Sequence, residues 1–273
     1  MPVCDLHLHT RLSSDADQSE NNCAEEFCKA AIQKGVSHIA FTEHFDIIVS
    51  EGTVNCDIAL SKKTTERAKE LFGTQLDVIF GTELAHAHTY KTEAAALIHD
   101  YAPDFVLASL HNLADGTDFY CMDFSQYSDS QLVSLFDAYL EEITDTVKTC
   151  DFDSLAHSTY PLRYFRRAKK EGLIDLSKYY ENYAEIFRTL ISRGKCLEIN
   201  CSSFDGIFNQ PMPHLELIKL YIDLGGRMFT LGSDSHIYSG VGKNIDKAQD
   251  FLKQNGIDRV FVYHGRQPSG IGI

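Results

Sequence analysis

The chain has 273 residues, 44% of them hydrophobic and 17 of them Phe, enough for a sizeable core and a length that suits one α/β barrel. Its formal charge of -14 argues against a stable nucleic-acid partner, which would need a basic face, but it does not exclude a small anionic substrate, because bound divalent cations can reverse the local field. No run approaches the roughly 18 apolar residues of a membrane span.

Met1-Pro2-Val3-Cys4-Asp5 opens the chain without the basic and apolar regions of a signal peptide. The eight cysteines are scattered and form no CxxC pair, so they are expected to be reduced and packed as small apolar groups. Together these features predict a cytoplasmic protein.

In chain order, Val3–Leu8 reads as a strand and Glu25–Lys34 as a helix stopped by Gly35. His38–Phe41 is a second strand and Ile58–Phe72 a helix ending at Gly73. Asp77–Phe80 is a third strand, Glu93–Tyr101 a helix closed by Pro103, and Phe105–Leu110 a fourth strand. Gln131–Lys148 is a long helix with Leu132, Leu135, Phe136, Tyr139, Leu140 and Ile143 on one face. A short strand at Ser154–Ala156 precedes a helix at Tyr179–Arg193, and Cys196–Ile199 is the next strand. Leu215–Leu224 is a helix, Met228–Leu231 a strand, Ile245–Gln254 a helix and Arg259–Tyr263 a last strand. Alternating βα units predict a parallel sheet, either closed as a barrel or open and doubly wound, in one domain spanning 1–273.

The ionisable residues cluster just past the strand ends. The first strand finishes in His7 and His9, which at i and i+2 point to one side and can share an ion; Asp15 follows in the next loop. His44 follows the second strand, Glu83 the third, His111 the fourth, His157 the fifth, and Asp234 and His236 the seventh. Taken singly, a His or Glu at a loop start is more often a cap than a ligand. The whole set on one edge is different, because active sites of parallel α/β folds assemble at that edge. Nine candidate ligands at three or four per ion support two or three divalent ions. Imidazole and carboxylate without thiolate suits zinc, manganese or iron. A water bridging two such ions would lose a proton near neutral pH and become a nucleophile. Among the other histidines, His38 is expected to be structural, His99 and His214 to sit at helix or cap positions, and His86 and His88 to approach the pocket.

These motifs resemble the polymerase and histidinol phosphatase (PHP) superfamily: DLHLHT at 5–10, Asp15, TEH at 42–44, GTE at 81–83, SLH at 109–111, AH at 156–157 and GSDSH at 232–236. In length, and in the tail from Tyr263 to Pro268, the chain is most similar to the stand-alone histidinol-phosphatase branch. The resemblance implies a distorted (β/α)7 TIM-like barrel with a trinuclear centre. One ion would take His7, His9, Glu83 and Asp234; a second would share Glu83 and add His111 and His157; a third would use Asp15, His44 and His236. Glu83, His111 and Asp234 are assigned catalytic roles.

The implied reaction is hydrolysis of a small phosphomonoester, L-histidinol phosphate first, in histidine biosynthesis. The alternatives are another phosphomonoester, a nucleotide phosphodiester, or a metal-binding domain without catalysis. Arg163 resembles an arginine that binds phosphate in the family, and Glu43 (usually Asp in relatives) and Arg266 are expected to contact substrate. Relatives usually carry a further Arg a few residues after the Glu-x-Asn strand, where this chain reads Cys201-Ser202-Ser203-Phe204-Asp205. Arg166, Arg167 or Arg266 would have to replace it.

Overall fold

A computed structural model of the chain describes residues 3–47, 55–170, 172–205 and 208–273. Its main sheet contains β1 (Cys4–Leu8), β2 (His38–Phe41), β3 (His44–Asp46), β4 (Asp77–Ala85), β5 (Phe105–Ser109), β6 (Ser154–Leu155), β7 (Cys196–Asn200) and β8 (Phe229–Gly232). The order is β1-β2-β4-β5-β6-β7-β8, every pair is parallel, and β3 joins β4. β3 continues β2 in the same register on β4: Phe41 faces Phe80 and His44 faces Glu83. The barrel is therefore seven-stranded, with one strand interrupted at Thr42-Glu43.

The sheet closes where Leu8 bridges Ser235 in parallel and the His9 N–H donates to Ser235 O at 3.0 Å. Asp5 pins this seam. Its buried carboxylate accepts from Ser233 N–H (2.8 Å), Ser233 Oγ (2.6 Å) and Gly242 N–H (2.7 Å). Burial still dominates these bonds and lifts its pKa to about 6. Between Asp5 and Leu8 the β1–β2 register shifts, an irregularity in the stretch that contains His7.

The core is apolar because the strands are covered on both faces. Leu6, Ile79, Leu107, Leu155, Leu197 and Leu231 are buried, as are Phe136, Tyr139 and Ile143 on the inner face of α4 (Asp129–Thr149). α4 starts two residues earlier than its apolar stripe suggests, because Ser128 and Gln131 form a capping box. The other helices that cover the strands are α1 (Ala24–Lys34), α2 (Ile58–Phe72), α3 (Lys91–Tyr101), α5 (Tyr160–Arg167), α6 (Tyr180–Arg193), α7 (Leu215–Asp223) and α8 (Ile245–Gln254). α1 ends on Gly35 at φ 73°, the left-handed conformation that glycine adopts without strain. α5 is not foreshadowed by the sequence, because its eight residues are too few to show a helical period.

The last two strands do not join the barrel. β9 (Arg259–His264) and β10 (Gln267–Gly272) form an antiparallel hairpin. Its two-residue turn, Gly265-Arg266, has φ of 51° and 66°, the positive pair that matches the twist of a hairpin. Tyr263 stacks on Phe105 and donates from its hydroxyl to Asp153 O, just ahead of β6, so the hairpin covers the N-terminal ends of the strands. None of the eight cysteines is paired in a disulfide. Among the described residues no helix is long and apolar enough to cross a membrane.

Candidate metal centre

The opposite, C-terminal edge of the barrel gathers all nine residues expected to act as ligands. Glu83, in the second half of β4, is the hub, and its two oxygens serve different neighbours. Oε2 lies 3.2 Å from His7 Nε2, 3.5 Å from His9 Nε2 and 2.8 Å from His44 Nδ1. Oε1 lies 2.8 Å from His157 Nε2 and 3.1 Å from His111 Nε2. Asp234 Oδ1 closes the first set, 3.6 Å from His7 Nε2 and 3.5 Å from His9 Nε2. Asp15 Oδ2 gathers a third, 3.1 Å from His236 Nε2 and 3.4 Å from His44 Nε2.

These spacings fit cations. Ligand atoms bound at about 2.1 Å to one tetrahedral ion stand about 3.4 Å apart. His9 Nε2 and both ring nitrogens of His44 are buried without a hydrogen bond, so neither imidazole has its one lone-pair nitrogen spent on the protein, and each can offer it to an ion once deprotonated. The trios His7–His9–Asp234, His7–Glu83–His157, His44–Glu83–His111 and His9–His44–His236 each bring their ligand atoms within 4.8 Å of one another.

Partners outside the nine orient the imidazoles. His7 Nδ1 pairs with Glu198 Oε1 at 2.5 Å, and His111 Nδ1 pairs with Asp46 at 3.2 Å. A carboxylate on one ring nitrogen fixes the proton there and leaves the other nitrogen as a donor to a metal. Asn200 Nδ2 (3.2 Å) and Ser202 Oγ (3.3 Å) both donate to Asp234 Oδ2, leaving Oδ1 to the histidines. Gly232 packs so tightly here that a Cβ would sit 2.4 Å from His7 Cβ and 2.6 Å from Glu198 Oε1.

The cluster is electrostatically poised. Burial would raise the pKa of Glu83, but His7, His111 and His44 outweigh it and hold the carboxyl well below its usual range. Burial likewise opposes the charge on His7, yet Glu198, Glu83 and Asp234 lift its pKa well above the ordinary value. His9 goes the other way: burial, then the neighbouring His44 and His236, hold it neutral.

Two expectations are corrected. Glu43 does not face substrate. It is buried, and its carboxylate is consumed by Thr10 N–H (3.0 Å), Thr10 Oγ1 (2.6 Å) and Ser13 Oγ (2.6 Å), so it braces the loop between His9 and Asp15. Arg266 lies at the wrong end of the barrel: in the hairpin turn its guanidinium pairs with Asp153 and, at 3.0 Å, with Asp151. His86 and His88 stay out of the cavity as well. His86 bonds Asn112 O (2.9 Å), and His88 bonds Thr146 Oγ1 (3.2 Å) beside Glu142. His38 lies 3.7 Å from Asp77, at the N-terminal edge.

Arg163, in the first half of α5, does reach the site. A cavity of about 200 Å³ opens on the cluster, lined by Asp15, His111, His157, Asp234 and His236 together with Arg163, Arg167 and Tyr160. Among the carboxylates, Glu198 and Asp46 have roles that motif spacing does not reveal; Glu198 at least announces itself as a charged residue inside an apolar strand.

A seven-stranded parallel barrel with this strand-end cluster is the scaffold of one class of metal-dependent enzymes, and the chain belongs to the PHP domain family, whose sequence model matches residues 5–202. Over 271 residues it is 28% identical to the histidinol-phosphatase of Lactococcus lactis subsp. lactis (strain IL1403), covering 97% of this chain and 96% of that protein. It is also 28% identical over 265 residues to the probable histidinol-phosphatase of Clostridium acetobutylicum, covering 95% and 96%. Its fold is similar to the crystal structure of histidinol phosphate phosphatase from L. lactis complexed with zinc, L-histidinol and phosphate. That match has a TM-score of 0.82 at 26% identity and covers 98% of this chain and 99% of the other.

Proposed function

We propose that the chain is a metal-dependent phosphomonoesterase that hydrolyses L-histidinol phosphate to L-histidinol and phosphate. The observation that carries this reading is Glu83 dividing its two oxygens between two histidine sets beneath a cavity that also holds Arg163. The likeness to histidinol-phosphatases over nearly the whole of both chains supports the choice of substrate.

His7, His9, Glu83 and Asp234 would hold one ion, Glu83 with His111 and His157 a second, and Asp15, His44 and His236 a third. Zinc, manganese and iron suit this donor set. Divalent cations so held supply Lewis acidity, acidifying water and offsetting negative charge on the phosphoryl group. The protein's own share is orientation. Glu198 and Asp46 fix the tautomers of His7 and His111, Asn200 holds Asp234, and Arg163 offers phosphoryl oxygens a delocalised positive charge.

The test is phosphate release from L-histidinol phosphate against p-nitrophenyl phosphate by protein purified with its metals. The reading expects kcat/KM for L-histidinol phosphate at least about 100-fold the higher, a difference of about 2.7 kcal/mol in transition-state binding. Equal rates on both substrates would reject the specific substrate, and no release from either would reject phosphomonoesterase chemistry.

A further inference from the structure

The turn that follows β7 places two hydroxyls against Arg163. The guanidinium donates from Nε to Ser203 Oγ at 3.2 Å and from Nη2 to Ser203 Oγ at 3.0 Å, and Nη2 donates also to Ser202 Oγ. Ser203 is buried, so it is not a casual surface contact. Ser202 extends the chain of bonds: its hydroxyl lies 2.6 Å from Asn200 Oδ1 and 3.3 Å from Asp234 Oδ2. Asn200 holds the same Asp234 oxygen from the other side, at 3.2 Å. A continuous network thus runs from Asp234, beside His7 and His9, through Ser202 to the guanidinium, which lines the same cavity.

An arginine side chain carries about 2 kcal/mol of rotamer entropy, and a cation that must be ordered when the ligand arrives subtracts that from binding. Here one edge of the fork, Nε and Nη2, is already occupied by serines, while Nη1 makes no bond to either. Oxygen acceptors that bear no charge suit this purpose. They fix the guanidinium without neutralising it, as a carboxylate would.

We infer that Ser202 and Ser203 are positioning residues that preset Arg163 for a phosphoryl group, with Ser202 linking it to Asp234 so that the cationic arm and the carboxylate are set as one unit. This rests on Arg163 being the arm that meets phosphate, and the experiment separates the two ideas.

Metal-loaded Ser202→Ala, Ser203→Ala and the double variant would be titrated with inorganic phosphate by calorimetry, alongside metal analysis and kcat and KM. The double variant is expected to bind phosphate about fivefold to tenfold more weakly, with KM raised more than kcat is lowered and metal content unchanged. Ser202→Thr, which keeps the hydroxyl, should recover most of the affinity lost in Ser202→Ala. In an Arg163→Ala background the serine substitutions should change phosphate affinity less than about twofold, because their effect acts through the missing guanidinium. Unchanged phosphate binding in the double variant would overturn the inference, as would an equal loss with and without Arg163. If Arg163→Ala alone leaves phosphate binding intact, the role of Arg163 fails and the positioning role falls with it. Failure to hydrolyse L-histidinol phosphate, with the phosphate results as expected, rejects only the substrate.

Discussion

Glu198 and His7 meet at 2.5 Å, Oε1 to Nδ1, while the second oxygen of Glu198 accepts the backbone N–H of His157 at 2.9 Å. One buried carboxylate thus aligns a histidine of the first strand with the chain segment that carries another. Glu198→Gln keeps the size and one acceptor, but its amide NH2 must face either the His157 N–H or His7 Nδ1, so one of the two bonds is lost or the His7 tautomer changes. We expect metal affinity to fall about 10–100-fold, measured by competition with a chelator, with the protein still folded. Affinity equal to that of the parent would show that His7 needs no such partner.

Glu83→Ala removes the one side chain shared by both histidine sets. Turnover should drop by at least about 10³-fold, and bound metal should fall by one ion or more per chain. Metal analysis is the deciding measurement, since a variant with full metal content would sink the bridging role.

Protons and cations compete for this site. Against the opposing effect of burial, neighbouring carboxylates raise the pKa values of His7, His44 and His111 well above 6.5 in the metal-free protein. Their stabilisation is complete below 6.5 and is lost as pH rises through the raised values. Glu83, depressed below its ordinary 4.5, contributes above 4.5 and loses its contribution as pH falls through the depressed value. The metal-free site is therefore most stabilising between these two values. Metal ions take the place of the imidazole protons, so their advantage grows above that window. Thermal unfolding of chelated and metal-loaded protein, followed from about pH 5 to about pH 9, should show a gap that widens with pH. A gap that narrows as pH rises would contradict this account.

Gly232 bears no functional group, yet any Cβ there collides with His7 and Glu198. Gly232→Ala should weaken metal binding about tenfold by moving one of that pair, with a smaller effect on the unfolding midpoint of the chelated protein. Equal metal affinity in variant and parent would mean that the seam can relax without disturbing His7.

Arg266→Ala leaves Asp153, buried at the foot of β6, without its cation. Stability should fall by about 2–3 kcal/mol in urea unfolding, while kcat for the metal-loaded enzyme stays within twofold. A large loss of kcat would return Arg266 to the active site.

The alternation of strands and helices was readable because each unit carries its own period and its own stop, such as Gly35 after α1. The cluster was readable because His7, His9, Glu83 and Asp234 each follow from a strand end. What stayed hidden depends on partners remote in the chain. Glu198 is defined by a histidine 191 residues away, and Asp46 by one 65 residues away, so the role of neither follows from local spacing. Glu43 misleads for the same reason: its place in the Thr-Glu-His motif suggests the cavity, but Thr10 and Ser13 claim both its oxygens. Arg259–Tyr263 has a strand's composition, but it pairs with β10 across the Gly265-Arg266 turn and not with a strand of the barrel.

The bond from Asp5 to Ser233 spans 228 residues, and the two sides of that seam carry His7 and His9 on one and Asp234 and His236 on the other. Closing so long a loop costs more entropy than forming a local βα unit. A chain still being synthesised, or one cut short of Ser233, holds only part of the ligand set and leaves the first strand with an open edge. Full cation capture then reports that the last βα unit has arrived, and the captured ions staple the beginning of the polypeptide to its end.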